Sequence, residues 1–173
     1  MAAVSGMIAN DTTMVDTVSN WRSRHLFKSQ FDFGTAPQEA PSLTTYGTIL
    51  RKSAVLKVGN FNPNLTHSED KELGTRLIKN GYKIIGDPNL VVYSIKKDTV
   101  FSVLERYWRW YGGIEEKMTF KEYLHAIKAS IKPMMQQDLM NEDWKSAFIS
   151  ILCPHYGYAR AKFREFSGKA QKE

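Results

Sequence analysis

Small and apolar residues alternate loosely over residues 2–9, the two-residue period of a short strand, and the pattern stops at Asn10 and Asp11. After a polar stretch, residues 21–33 mix aromatics with Arg22, Arg24, His25 and Lys28, and residues 34–42, with Pro37 and Pro41, read as an exposed loop. The apolar run at residues 46–50 leads through Arg51, Lys52 and Ser53 into Ala54, Val55 and Val58, a strand feeding a short helix that Gly59 stops. Residues 61–64 form a turn. From Ser68 the period lengthens: Leu73, Leu77 and Ile78 share a helical face, and Asn80 with Gly81 supplies a left-handed stop. Residues 82–85 and 90–95 are β-branched or aromatic runs on either side of Asp87, Pro88 and Asn89, which predicts two extended segments around a tight turn. Residues 100–111 predict a helix with Phe101, Leu104, Trp108 and Tyr111 on one face, ended by Gly112 and Gly113. From Phe120 the chain reads as helical throughout. One stripe holds Tyr123, Ile127 and Ile131 up to Pro133, another Trp144, Phe148, Ile151 and Leu152 up to Pro154, and the tail beyond Phe166 frays.

A chain of 173 residues with this order of elements makes one α/β domain with a helical appendage. Its 42% hydrophobic content suffices for a packed core, which excludes global disorder. The single cysteine, Cys153, rules out an internal disulfide and a multi-cysteine zinc site; it reads as buried and inert, in a reducing compartment. Residues 1–10 lack the basic head of a secretory signal, and no run approaches the ~20 apolar residues that cross a bilayer. A cytoplasmic location is expected, with at most peripheral contact at the inner face of a membrane.

The net charge of +6 suggests an anionic partner. The positive excess sits at Lys96, Lys97, Arg106, Arg109 and residues 160–172, while Glu69, Asp70 and Glu72 make the middle acidic. With no ribonucleoprotein motif, zinc finger or Gly-rich phosphate loop, nucleic acid is not expected as a partner. The helices after Ile114 carry amphipathic stripes with flanking lysines. These could cover the domain, lie on an anionic membrane surface or mediate dimerisation.

Two polar clusters invite chemistry. In residues 68–76, Thr66 or Ser68 would cap a helix, Glu69 and Asp70 would complement its dipole, and Glu72 would pair with Arg76. The same carboxylates, held rigidly at a helix start, could instead accept a proton from a hydroxyl nucleophile. In residues 106–113, Arg106 and Arg109 lie three apart, so both forks could reach one diphosphate, with Trp110 as a flat surface for a sugar. Alternatively the tryptophans fill a core while the arginines stay wet.

The order of these pieces is more specific than any one of them. Arg51, Gly59 and Phe61 lie in a segment that precedes Glu69-Asp70-Lys71-Glu72-Leu73; Gly81-Tyr82 and Asp87-Pro88 follow, and then Arg106, Arg109 and Trp110. The chain over residues 2–113 resembles the second half of family-2 glycosyltransferases of the GT-A fold. The resemblance implies a partial GT-A domain over residues 1–113 with a helical extension over residues 114–173. It implies transfer of a sugar, with inversion, from a nucleotide-sugar donor to a hydroxyl of a saccharide or lipid-linked acceptor. It makes Asp70 the catalytic base with Glu69 in support, puts Arg106, Arg109 and Trp110 toward acceptor and departing diphosphate, and gives Arg51 a lesser place lining the same cleft.

Two departures qualify that expectation. The family's nucleotide-binding half, ending in an Asp-x-Asp metal motif, has no counterpart here, and Asn10, Asp11 and Asp16 follow the first strand instead of closing such a fold. A divalent cation, Mg or Mn, is expected for the complete enzyme, with its ligands outside this chain. Where many relatives carry a histidine near the end of the strand at residues 90–94, this sequence has Ser94; His67 and His25 are not assigned as substitutes. The alternative expectation is a non-catalytic glycosyltransferase fragment that binds a saccharide or a partner.

Overall fold

Strand β1 (Ala3–Asn10) forms over the alternating first residues and lies inside a four-stranded sheet with β2 (Gln38–Glu39), β3 (Thr48–Leu50) and β4 (Ile84–Ser94), in the order β2-β4-β1-β3. The structure is a computed structural model and describes residues 1–11, 13, 15–27, 34–65, 68–111 and 118–170. These fall into two compact units, one of Met1–Thr13 with Phe27–Ile95, the other of Met14–Leu26 with Lys96–Glu173. Packing thus divides the chain at residue 95, whereas the family motifs end at 113.

In the first unit β1 runs parallel to β4 and antiparallel to β3. Parallel neighbours need a crossover, and here it contains α2 (Lys52–Lys57) and α3 (Glu69–Lys79). Leu73 and Leu77 of α3 join Ala3, Leu43, Val55 and Ile84 in a buried cluster, whereas Ile78, read on the same face, is exposed. The left-handed stop is present at Gly81, φ 78°. The loop expected over residues 34–42 contains the short β2, and Ala40 beyond it is buried.

The pattern around Pro88 resolves differently from the tight turn expected. One strand, β4, passes through it, and its pairing with β1 jumps from Gly6–Asp87 to Met7–Val91. Asp87 Oδ1 accepts the Asn89 N–H at 2.9 Å, a local side-chain turn that lets the chain bulge and rejoin the ladder. The bulge folds over Gly6, where a Cβ would lie 2.2 Å from the Leu90 carbonyl oxygen, so only glycine fits.

Helix α3 leans on the loop before β3 through Gly74, where an added methyl would come 2.6 Å from Leu43 Cβ and 2.7 Å from its backbone nitrogen. Gly74→Ala gains about 1 kcal/mol of helix propensity, but overpacking against backbone costs about 1–3 kcal/mol. A net loss of about 1 kcal/mol is expected, read as a lower denaturation midpoint; a stabilised variant would show that the loop gives way.

The second unit is helical: α1 (Thr17–Arg22), α4 (Val100–Tyr111), α5 (Phe120–Ser130), α6 (Gln136–Met140) and α7 (Trp144–Ala170). Asp16 caps α1 by accepting the Ser19 N–H at 2.7 Å. A wide turn over Ile131–Met135 takes up Pro133, which lacks the N–H of a regular helical turn. Two of the stripes read from the sequence are only partly buried. In α4 the buried residues include Val103, Leu104 and Trp108, while Phe101 and Tyr111 are exposed. Helix α7 runs through Pro154 without a break and buries its small residues, Ser146, Ala147, Ser150, Cys153 and Ala161, leaving Trp144 and Phe148 in solvent. The helix also continues to Ala170, past the point where fraying was expected. Gly112, Gly113, Thr66 and His67 lie outside the described residues.

Candidate functional site

Asp70 stands in the first turn of α3, half-buried, between Glu69 and Lys71. Its Oδ1 accepts the Lys71 N–H at 2.7 Å and its Oδ2 the Thr45 N–H at 3.3 Å. Two backbone donors thus fix the carboxylate, and the α3 dipole complements its charge. Ser68, at the cap position, is left-handed with φ 60° and makes no side-chain cap bond, so the capping role expected of it is not fulfilled. The expected pair of Glu72 and Arg76 forms at 2.6 Å, and Arg76 also donates to the carbonyls of Val58 and Asn60, tying α3 to the loop after α2. The hydrogen bond from Arg76 holds the Glu72 carboxyl below the usual carboxylate range.

The sheet gives Asp70 an address. Ala2 donates to the Lys83 carbonyl and accepts from the Arg51 N–H, both at 2.8 Å, so Arg51 marks the amino end of β1. Thr48 pairs with Ser5 and Gly47 accepts from the Gly6 N–H at 2.9 Å, so the chain that enters β3 comes from the carboxyl side of β1, and Thr45 precedes the turn at residues 46–47 there. Helix α3 therefore begins near the carboxyl ends of the parallel strands, where open α/β sheets bind ligands, and its 11 residues span about 16 Å back to the other end. Asp70 and Glu69 are together there. Arg51 is not: it is exposed at the opposite end, with its main chain starting α2.

The remaining residues of interest belong to the second unit and to one helix, α4. Arg106 is buried, and its fork spans Asp98 at 3.0 and 3.1 Å. Asp98 also accepts from Arg22 at 2.6 Å and from Ser102 at 2.9 Å. Burial pushes the Asp98 carboxyl upward, but these bonds and the two positive charges outweigh it and hold the group below its usual range. The two arginines of the motif therefore face different surroundings: Arg109 is exposed and Trp110 half-buried beside it, whereas Arg106 is engaged with Asp98.

The sequence reading missed a polar knot in this unit. Asp138, fully buried, accepts from His25 Nε2 at 2.7 Å, from Arg24 and from Ser150, and Ser150 Oγ in turn accepts the Trp21 N–H at 2.9 Å. His25 also lines a groove of about 1140 Å³ with Tyr107, Trp108, Tyr111 and Cys153. Burial raises the Tyr107 hydroxyl to about 12 and pushes the Cys153 thiol up, so neither is a ready base or nucleophile. Residues 113 apart in sequence carry no local signal of their pairing. Among the described residues no three His, Cys, Asp or Glu side chains converge to hold a metal ion. Asp11, read as no metal ligand, caps its own turn by accepting from Thr13.

The model of glycosyl transferase family group 2 matches residues 8–160, and the chain belongs to that family. The match passes residue 113 and takes in α5, α6 and most of α7, helices that carry no motif. No curated protein and no solved structure matches the chain. The mixed α/β architecture, a four-stranded sheet with covering helices, agrees with a GT-A-like domain. Among the described residues no helix is long and apolar enough to cross a membrane.

Proposed function

We propose that this chain carries the acceptor-activating part of a glycosyltransferase that moves a sugar from a nucleotide-sugar to a hydroxyl of a saccharide or lipid-linked acceptor. The observation that supports this most is the Asp70 carboxylate, held by two backbone N–H groups at the carboxyl end of the parallel strands in a member of this family. Asp70 takes the proton of the acceptor hydroxyl; the freed oxygen attacks the anomeric carbon from the face opposite the leaving group. The bond from that carbon to the diphosphate oxygen breaks, the electron pair leaves with the nucleoside diphosphate, and the configuration inverts. Glu69 adds negative charge beside the base. By resemblance, Arg109 and Trp110 take the acceptor and diphosphate role, with Arg106 holding α4 to Asp98. By the same resemblance, the complete enzyme uses a divalent cation, Mg or Mn, at the diphosphate.

The test is a transfer assay on the native polypeptide isolated with whatever is covalently or tightly joined to it, using a panel of nucleotide-sugars and hydroxyl acceptors. The expected result is release of nucleoside diphosphate in step with glycosylated acceptor. Saccharide binding with no turnover under any donor would replace this reading with a non-catalytic binding module.

A further inference from the structure

The outward turn of α7 leaves a surface that glycosyl transfer does not use. Trp144, Phe148, Phe163 and Phe166 are 68, 59, 65 and 71% exposed. Together with exposed His155 and Ala159 they are spaced 4, 7, 4, 4 and 3 residues apart, which keeps them on one side of a helix about 40 Å long. The row does not end at α7. His155 accepts from or donates to the Tyr123 hydroxyl at 2.6 Å, and the Tyr123 ring lies 5.8 Å from that of Phe120. Phe120 and Leu124 carry the exposed apolar surface onto α5. Contiguous exposed aromatics on this scale mark an interaction site.

We propose that this face of the second unit lies on an anionic lipid bilayer, with the aromatic rings at the level of the head groups. Charge selects the partner. Residues 118–170 hold eight Lys and Arg against five Asp and Glu, and of those acids Asp138 is fully buried. Lys145 lies 5.5 Å from the Trp144 ring centroid, a cation at the end of the row whose long stem reaches phosphate while the rings go deeper, whereas Lys162 is paired with Glu165 at 2.9 Å. A second copy of the chain docked on the same face would bring these cations against themselves, whereas anionic head groups complement them. The helix cannot span a bilayer, so it lies along the interface.

The experiment is co-sedimentation of the full chain with vesicles of phosphatidylcholine alone and of phosphatidylcholine mixed with phosphatidylglycerol. The wild type is expected to pellet with the mixed vesicles and to stay in solution with the neutral ones. The double substitution Phe163→Ser, Phe166→Ser removes two exposed rings and is expected to cut the partition coefficient about tenfold or more at unchanged helicity. Trp144→Ser at the far end provides an independent second variant, expected to cut it several-fold. Failure of the wild type to pellet with anionic vesicles at low salt overturns the proposal. So does equal pelleting of wild type and both variants, or a concentration-dependent dimer that the same substitutions disperse. None of these outcomes bears on transfer by Asp70.

Discussion

Asp70→Asn is expected to lower the rate of glycosyl transfer about 10²–10⁴-fold, the contribution a positioned general base makes. The substitution is nearly isosteric, and its remaining carbonyl oxygen can still accept the Lys71 N–H that Asp70 accepts at 2.7 Å. Stability should therefore move by no more than about 0.5 kcal/mol, as for a surface change. What the amide cannot do is hold the acceptor proton as the new bond forms. The loss should appear in kcat, with acceptor KM changed little, because binding the hydroxyl needs only a hydrogen-bond acceptor. Initial rates at saturating donor, paired with a thermal melt, separate the two effects. A variant within threefold of wild type would remove Asp70 from the chemistry and leave its contact with Thr45 as a tie between α3 and the loop before β3.

Asp138→Ala is expected to cost about 3–5 kcal/mol, the penalty for breaking a buried ion pair from one side. The removed carboxylate is the common acceptor for His25, Arg24 and Ser150, groups drawn from the turn after α1 and from α7. Truncation leaves buried donors without an acceptor and loosens Ser150, which accepts from Trp21. Tryptophan emission during denaturant unfolding, to which buried Trp21 contributes, reports the loss. Acid should do gradually what the substitution does at once. Burial pushes the Asp138 carboxyl upward, but the bonds from His25, Ser150 and Arg24 outweigh it and hold the group below its usual range. A carboxyl depressed in the fold stabilises at pH above its unfolded value of about 3.9, and that stabilisation drains away as pH falls through the lower folded value. Asp98 and Asp143 are depressed in the same direction. The wild type should therefore lose stability steeply below about pH 4, and Asp138→Ala should show a shallower slope there. A loss under about 1 kcal/mol, or an unchanged slope, would mean that the knot is redundant.

What the sequence made legible was local. Leu73 and Leu77 repeat at helical spacing and do face the core, and Gly81 does end α3, because these signals operate within one or two turns. The motif singles out Asp70, and the structure adds the two backbone N–H groups that hold its carboxylate. Where neighbours decide, the reading failed for identifiable reasons. Pro88 reads as a turn, but β1 continues on both sides of it and draws the chain back into the ladder. Trp144 and Phe148 read as an amphipathic stripe whose partner the sequence left open, and packing leaves them in solvent because Ser146, Ala147, Ile149, Ser150 and Cys153 take the interior. Arg51 and Arg106 carry the right residue type for an anionic ligand. Only the three-dimensional pairing shows one at the far end of the sheet and the other closed on Asp98.

The second unit is built from two stretches of chain separated by most of the first. During synthesis α1 emerges early, yet Trp21 must wait for Ser150, 129 residues later. At ribosomal speeds of about 5–20 residues per second, that wait is roughly 6–26 s. The sheet and α3 can settle in the meantime, since every strand they need has already been made. For those seconds α1 is an orphan, with a large aromatic, Trp21, and one arginine, Arg22, and no interior to enter. A chain halted before α7 would keep it so, which makes the last helix the step that commits the newly made protein to its final form.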